Sequence, residues 1–471
     1  MNYDDEENDN DYYDGNLNEE LDRFEKSLTG EPLGFMDSDT LEAIIDHYLI
    51  QGNYTKANLC AEIGIQQFPF IPLFTLRKAQ AISANGQLKE ALNLLSQLEK
   101  SGITSCEHFL TKASIFSQLR DSKTAIKYFT EALNVAEPED RDEIFVDLAM
   151  EYETARDFKN AVRILKKALE TNPNNEVAIY ELAFCYDQME DFDSAIKCYS
   201  DFINENPYSF TAWYNLGNAY SKSENFEKAI WAYDYCLLIN EDFSPAYFNL
   251  GNAYLSEEKY LLSIQNFEKC IEFDGEDGLT LCYLGECYEQ LGNLDEAKRF
   301  YYKSLELMPE LSDAWLGLGI VKDLEGDVKG AIGFIEKAIS YDAFNPGYIH
   351  VLAGALEKTD DLNLANETYL KALSMDTNND EILTDYVNFL VKNDSYKQAV
   401  DFLEALDTVQ EEIALVKDLH LFAIFYVYFK QENILNRLIQ AQVKDSVVTK
   451  EIISLYPTLI NDPKIVNLLN N

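Results

Sequence analysis

Four asparagines lie where two stretches of the chain, 34 residues apart, repeat each other. Asn215 and Asn218 in the first stretch correspond to Asn249 and Asn252 in the second. An asparagine side chain carries both a donor and an acceptor, so regularly spaced asparagines can hydrogen-bond the backbone of an extended peptide whatever its sequence. Aromatic side chains accompany them and add apolar contact: Tyr180, Tyr214 and Phe248. These seven residues predict a peptide-binding surface.

Other kinds of site chemistry have little support in this sequence. The 8 cysteines include no Cys-x-x-Cys pair, which indicates small buried side chains in a reducing compartment. The 4 histidines are dispersed and form no cluster. The chain has no Gly-rich phosphate loop and no nucleophile elbow. We therefore expect a protein that is not an enzyme and that binds no metal and no cofactor.

The elements that position the asparagines follow from an internal repeat. One slot of a 34-residue unit is alanine in ten of eleven occurrences, with Ser263 as the exception. Apolar residues around this slot recur at three- and four-residue spacing, as at Trp213, Leu216 and Tyr220, and this spacing predicts one face of a helix. A polar break at 224–225 separates that helix from a second one. The alanines are Ala57, Ala91, Ala125, Ala161, Ala195, Ala229, Ala297, Ala331, Ala365 and Ala399.

This pattern resembles the tetratricopeptide repeat. The residues that match its signature are Trp213, Leu216, Gly217, Tyr220, Ala229 and Tyr233 in one unit, and Leu182, Ala183, Tyr186, Ala195, Tyr199 and Pro207 in another. About eleven units fit between residues 38 and 412. The resemblance implies an all-α fold, a right-handed superhelical solenoid of helix pairs with α-helical caps. In that family the first helix of each pair lines a concave groove.

The slots that the resemblance assigns to the groove are modestly enriched in acids. We expect six acids to select positively charged partners: Glu181, Asp187, Glu286, Glu289, Asp313 and Asp323. Lysines in the same slots are Lys222, Lys358 and Lys392. The asparagines resemble the asparagine ladder of some peptide-binding members of the family, although asparagine there also belongs to the general repeat pattern. Tyr214, Leu279 and Tyr283 replace the basic residues of the family's carboxylate clamp, so we expect no clamp.

Net charge narrows the range of partners. The formal charge is −45, which argues against nucleic acid as a ligand because such a ligand needs lysine and arginine on the binding surface. The longest apolar run, near 419–429, is well short of the roughly 20 residues that a membrane helix needs. The chain does not begin with a basic region followed by an apolar run. We expect a cytoplasmic protein without nucleic-acid or membrane partners.

The two ends depart from the repeat. Residues 1–16 are acidic and poor in apolar residues, which predicts a disordered tail that either solvates the chain or docks a basic partner. Residues 17–37 contain apolar residues at helical spacing and predict an amino-terminal capping helix, with a partner helix in a groove as the alternative. The segment 38–412 is the solenoid. Residues 413–471 predict a helical cap, with apolar segments at 434–443, 447–456 and 465–469.

The leading hypothesis is a protein–protein interaction scaffold that holds an extended, basic or neutral peptide segment in its groove. One alternative is a structural assembly protein that forms a homodimer through residues 413–471. Another is an acidic holding chaperone for a strongly basic protein. Nothing in the sequence identifies the partner.

Overall fold

The described part of the chain consists of helices joined by turns and short loops, without a strand. The structure is a computed structural model, and it describes residues 6–359, 361–406, 411–430, 441, 445–463 and 465–466. Side chains are described from residue 17 onward within these ranges, except at 411, 412 and 446. Contacts divide the chain into two units, Met1–Glu241 and Asp242–Asn471, called here unit 1 and unit 2.

Unit 1 contains six helix pairs, preceded by one further helix. A 3-10 turn at Pro138–Asp140 leads into the fourth pair. The helices of unit 1 are α1 Glu6–Leu28, α2 Ser38–Ile50, α3 Tyr54–Gln67, α4 Pro72–Ala84, α5 Leu88–Lys100, α6 Cys106–Gln118, α7 Ser122–Val135, α8 Arg141–Thr154, α9 Phe158–Thr171, α10 Glu176–Met189, α11 Phe192–Glu205, α12 Phe210–Lys222 and α13 Phe226–Ile239.

Unit 2 contains five pairs, followed by the helices of the carboxyl-terminal segment. Together the two units hold the eleven pairs that the repeat predicted. The described helices of unit 2 are α14 Ser244–Ser256, α15 Tyr260–Asp274, α16 Gly278–Gln290, α17 Leu294–Leu307, α18 Ser312–Leu324, α19 Val328–Tyr341, α20 Pro346–Glu357, α21 Leu362–Met375, α22 Asp380–Lys392, α23 Tyr396–Ala405, α24 Glu411–Val427, α25 Ser446–Ser454 and α26 Pro457–Ile460.

The turn inside a pair has the same construction in several repeats. Asp191 and Asn225 are the N-caps of second helices, and each side chain accepts a hydrogen bond from a backbone N–H in the first turn. The residue just before the cap adopts a left-handed conformation, with φ of 52° at Glu190, 58° at Glu224 and 57° at Glu258. This conformation reverses the chain tightly and sets the second helix against the first.

Small residues allow the two helices of a pair to approach closely. A Cβ atom added to Gly285 on α16 would lie 2.7 Å from a ring carbon of Tyr301 on α17, and one on Gly251 would lie 2.7 Å from Phe267. Ser263, which replaces the repeat's alanine, is fully buried and donates its hydroxyl to the Gly251 carbonyl at 2.8 Å. The polar exception is therefore accommodated by one hydrogen bond across the pair.

The first helix covers the first pair. Phe24 on α1 is fully buried, in one apolar cluster with Leu41 and Ile44 of α2. Tyr48 donates its hydroxyl to Glu25 at 2.8 Å, which ties α2 to α1. Helix α1 begins at Glu6 rather than at residue 17. The domain boundaries at 16, 37 and 412 stay predictions.

The apolar carboxyl-terminal helix packs inside unit 2. Phe422 and Ile424 on α24 are fully buried, in one cluster with Leu390 and Leu403 of the last repeat. His420 on the same helix is fully buried, with Nδ1 2.8 Å from the Tyr456 hydroxyl. Of the predicted segment 434–443, all residues except Ala441 lie outside the described part. These contacts favour a cap over a dimer surface for α24.

Candidate peptide-binding surface

The predicted site residues lie on first helices, but they divide between the two units. In unit 1 they are Tyr180, Glu181 and Asp187 on α10 and Tyr214, Asn215 and Asn218 on α12. In unit 2 they are Phe248, Asn249 and Asn252 on α14, Glu286 and Glu289 on α16, and Asp313 and Asp323 on α18. Each unit is described by itself.

The asparagines of unit 1 differ in their accessibility. Asn215 is only 3% exposed, and its side-chain Nδ2 has no hydrogen-bond partner among the described residues. Asn218 is half-buried and accepts a hydrogen bond from the Tyr233 hydroxyl at 2.8 Å. Tyr180 is 45% exposed and Tyr214 is half-buried. Tyr180, Tyr214 and Asn218 thus present accessible surface, whereas Asn215 lies beneath it.

The asparagines of unit 2 lie beside a cluster of aromatic rings. Asn249 and Asn252 are half-buried on α14. The neighbouring Phe248 ring packs edge-on against Tyr283 at 5.7 Å between centroids, and against Phe267 at 5.8 Å. The rings of Phe267 and Tyr283 are stacked at 5.6 Å. This packing fixes Phe248 and Tyr283 in place, so the aromatic surface beside the asparagines is rigid.

Two of the predicted acids already form ion pairs within their own unit. Asp187 pairs with Lys222 at 2.5 Å, and Asp323 pairs with Lys358 at 2.5 Å. Each lysine follows its acid by 35 residues, one repeat further along. Glu357 and Lys392 form a third pair with the same separation, at 3.0 Å. The lysines in the groove slots therefore neutralise particular acids, and Asp187 and Asp323 are less available to a partner.

Three acids in unit 2 are close together and form no ion pair with a described base. Glu289 is 9% exposed and accepts a hydrogen bond from the Tyr301 hydroxyl at 2.8 Å. Burial, and then the nearby Glu286, raise the pKa of Glu289 to about 7. Burial and the charge of Asp313 likewise raise the pKa of Glu286. We call Glu286, Glu289 and Asp313 the unit 2 acidic cluster.

The glycines of the repeat position the buried carboxylate. The Tyr301 ring fits between Gly285 and Gly317, because a Cβ atom on either glycine would overlap it. The ring passes from α17 towards α16, and its hydroxyl reaches Glu289. Asp313 accepts a hydrogen bond from the Tyr348 hydroxyl at 2.5 Å. Tyrosine hydroxyls rather than bases therefore hold two of the three carboxylates of the cluster.

A similar pair of acids lies in unit 1. Burial raises the pKa of Glu153 on α8 to about 7, and the neighbouring Glu181 adds to the effect. The Cys185 thiol donates to Glu153 at 3.3 Å. Glu153 was not among the predicted site residues, although it occupies a first-helix slot. Its raised pKa comes mainly from burial, which the hydrogen bond from Cys185 partly offsets, and a slot count detects neither effect.

Family models of the tetratricopeptide repeat match five stretches of the chain, residues 109–138, 154–207, 210–243, 244–277 and 278–311. The chain is a tetratricopeptide repeat protein. Repeats of this family mediate protein–protein interaction and generally act as scaffolds rather than catalysts. The sequence-based assignment to this family is therefore confirmed, and the chain is an interaction scaffold.

Solved structures resemble this tetratricopeptide repeat protein over different lengths. The Cut9–Hcn1 hetero-tetramer of the APC/C is 15% identical, covering 83% of this chain and 97% of that chain with a TM-score of 0.43. A tetratricopeptide repeat protein from Parabacteroides merdae is 20% identical, covering 51% and 96% with a TM-score of 0.44. YrrB, described as having an unusual peptide-binding site, is 22% identical, covering 38% and 93% with a TM-score of 0.30. No curated protein matched the sequence.

The described residues of this repeat protein contain no group of three or more histidine, cysteine, aspartate or glutamate side chains placed to hold a metal ion. No described helix is both long enough and apolar enough to cross a membrane.

Proposed function

We propose that this scaffold binds an extended, basic or neutral segment of a partner protein along its first helices. The observation that carries the proposal is the unit 2 acidic cluster, in which three carboxylates lie together without a base. Burying an ionised carboxylate without a counter-charge is unfavourable. A lysine or arginine side chain brought to the cluster would supply that counter-charge.

The predicted asparagines and aromatics contribute the contacts that do not depend on charge. In unit 2, Asn249 and Asn252 would hydrogen-bond the backbone of the segment, with Phe248 providing apolar contact. In unit 1, Asn218 would hydrogen-bond the backbone of the segment in the same way, with Tyr180 and Tyr214 providing apolar contact. Each neutral hydrogen bond contributes about 0.5–1.5 kcal/mol net. Asn215 has no such role in this proposal because it is buried.

The first experiment compares the partners retained by two charge-matched variants. Glu286→Gln/Asp313→Asn removes two charges from the cluster, whereas Glu268→Gln/Glu306→Gln removes two from exposed positions on second helices of unit 2. We expect partners in a native lysate to be lost from the first variant and retained by the second. Retention of every partner by both variants would refute the role of the cluster.

Proton release gives a second, independent test. A cation that pairs with Glu289 stabilises the ionised form, so binding near pH 7 must lower its pKa and release protons. Titration calorimetry of an arginine–serine peptide in buffers of different ionisation enthalpy measures the number released. We expect net release from the wild type and a smaller release from Glu289→Gln. Equal proton release from the two proteins would show that no cation reaches Glu289.

Homodimerisation through residues 413–471 stays a prediction. Most apolar side chains of α24 are buried. Beyond its end, Phe429 is 45% exposed, and Val447 on α25 is 64% exposed. Light scattering at several protein concentrations tests the hypothesis, because a mass that stays at one chain at every concentration excludes the dimer.

A further inference from the structure

A cavity with polar and apolar walls lies among the first helices of three consecutive pairs in unit 1, apart from the predicted asparagines and from the six acids expected to select a partner. Its volume is about 510 Å³, within the range of roughly 300–1,000 Å³ that is usual for ligand sites. Helices α4, α6 and α8 form most of its wall, and we call it the α4–α6–α8 cavity. The wall includes Gln80, Thr111, Ser114, Ser117, Asp147 and Glu151.

Two carboxylates one helical turn apart face this cavity from α8. Glu151 is 5% exposed, and its Oε2 has no hydrogen-bond partner among the described residues. Buried polar groups are almost always hydrogen-bonded, so this orphaned oxygen indicates a missing partner. Asp147 is exposed, and partial desolvation, followed by the charge of Glu143, raises its pKa. Within the described ranges neither Asp147 nor Glu151 forms an ion pair.

Arg77, which contacts the cavity wall through Gln80, is already neutralised. Arg77 on α4 forms ion pairs with Glu42 at 3.2 Å, Asp46 at 3.0 Å and Glu107 at 3.2 Å. It also donates a hydrogen bond to Gln80 in the cavity wall at 3.0 Å. Arg77 is only 12% exposed and is held by three carboxylates, so it is not free to turn towards α8. Arg77 therefore supplies no counter-charge to Asp147 or Glu151.

We propose that the α4–α6–α8 cavity accepts the guanidinium group of an arginine side chain from a partner protein. A guanidinium has five N–H donors and pairs well with carboxylates, and the cavity offers the carboxylates of Glu151 and Asp147 with serine hydroxyls beside them. An apolar side chain would leave the Glu151 oxygen without a partner, and a neutral donor would leave its charge without a counter-charge. The inference rests on the proposal that basic segments bind the first helices, but it concerns a separate site.

The test uses a nine-residue peptide of alternating serine and arginine, and its analogue with citrulline in place of arginine. Citrulline keeps the shape of arginine and lacks the charge. The variant Asp147→Asn/Glu151→Gln neutralises the cavity, and Asp193→Asn/Asp201→Asn removes the same charge from exposed positions on α11. Hydrogen exchange of α8 reports occupancy of the cavity, and hydrogen exchange of α16 reports occupancy of the unit 2 acidic cluster.

We expect the arginine peptide to protect α8 of the wild type at a concentration at least tenfold lower than the citrulline peptide. The cavity variant should lose this preference while protection of α16 remains, and the α11 variant should keep both. The exposed Ser114 provides a charge-neutral check, since Ser114→Phe fills the cavity and should also abolish protection of α8.

Three results would overturn the inference. One is equal protection of α8 by the two peptides, and another is unchanged protection in both Asp147→Asn/Glu151→Gln and Ser114→Phe. The third is an equal loss in the cavity and α11 variants, which would assign binding to general charge. If the arginine peptide protects α8 but not α16 of the wild type, the proposed function is contradicted while the inference about the cavity stands. The two failures are therefore distinguishable.

Discussion

Replacing Glu289 with glutamine should stabilise unit 2, and the gain should grow as the pH rises. The side chain is 9% exposed, and burial raises its pKa from 4.5 to about 7. Glutamine has nearly the same shape and keeps an oxygen that can accept the Tyr301 hydroxyl. It has no proton to lose, so the variant is free of the unfavourable ionisation in the folded state.

The size of the effect follows from the two pKa values. They differ by 7 − 4.5 = 2.5, and each pKa unit corresponds to about 1.4 kcal/mol, so full ionisation removes about 3 kcal/mol from wild-type stability. The folded state holds the proton more tightly than the unfolded state. The wild type therefore has its full stability below pH 4.5 and loses this contribution as the pH rises through 7. Between pH 5.5 and 8.5 the loss is about 2 kcal/mol.

Hydrogen exchange of α16 gives the assay, because it measures the opening free energy of this helix without requiring the whole chain to unfold in one step. The quantity to compare is the difference between Glu289→Gln and wild type at pH 5.5 and at pH 8.5. A packing cost of glutamine affects both values and cancels in the comparison. Glu306→Gln, at an exposed position on α17, is the control and should show no change with pH.

We expect the stabilisation of α16 in Glu289→Gln to increase by about 2 kcal/mol across this pH range. A difference that stays constant to within about 0.5 kcal/mol would refute the reasoning. It would mean that Glu289 ionises in the folded state as readily as in the unfolded state. The proposed affinity of the cluster for cations would then lose its energetic basis.

Three further predictions concern packing, acid sensitivity and the turns. Gly317→Ala places a Cβ against the Tyr301 ring and should destabilise unit 2 by about 1–3 kcal/mol. Gly333→Ala meets nothing within 4 Å and should stabilise α19 by about 0.5–1 kcal/mol; urea unfolding of both variants gives the comparison. Burial lowers the pKa of His420 from 6.5 to about 3, so its stability contribution is present above pH 6.5 and is lost on acidification. Hydrogen exchange of α25 should show an opening free energy about 1 kcal/mol lower at pH 5.5 than at pH 7.5. Glu258→Gly removes a side chain at a φ of 57° and should raise the thermal midpoint, because glycine adopts this conformation without strain; a lower midpoint would contradict that.

The fold could be predicted from the sequence because one physical constraint recurs in most units, with Ile45 and Val387 as exceptions in the terminal ones. Helices can pair at short distance only where a small residue faces a large one, and this requirement kept Gly285 in phase with Tyr301 and Gly251 in phase with Phe267. A local mismatch such as Ser263 does not obscure such a pattern. It is accommodated by one hydrogen bond, and the spacing on both sides continues unchanged.

The burial and the ion pairing of the site residues could be predicted less well. The position of a residue in the repeat indicates the direction in which its side chain leaves the helix, but burial depends on what the neighbouring helices place above it. Asn215 and Asn218 both occupy slots that the resemblance assigns to the groove, yet Asn215 is buried and Asn218 is half-buried. The ion pairs of Asp187 and Asp323 were not predicted either, although their separation of 35 residues from Lys222 and Lys358 can be read in the sequence.

Electrostatics also separates two ways in which an acidic repeat protein can select a basic partner. A net charge of −45 attracts any cation at long range, but salt at about 0.1 M screens exposed charges beyond roughly 10 Å. Partly buried carboxylates are screened much less, so Glu286 and Glu289 of the unit 2 acidic cluster should retain a cation at moderate salt. Binding through the acids of residues 1–31 should weaken steeply. If deleting residues 1–16 and raising the salt each abolish partner binding, general charge is the attraction and the holding-chaperone alternative is correct. If binding survives both changes and is lost in Glu286→Gln/Asp313→Asn, selection depends on the unit 2 acidic cluster.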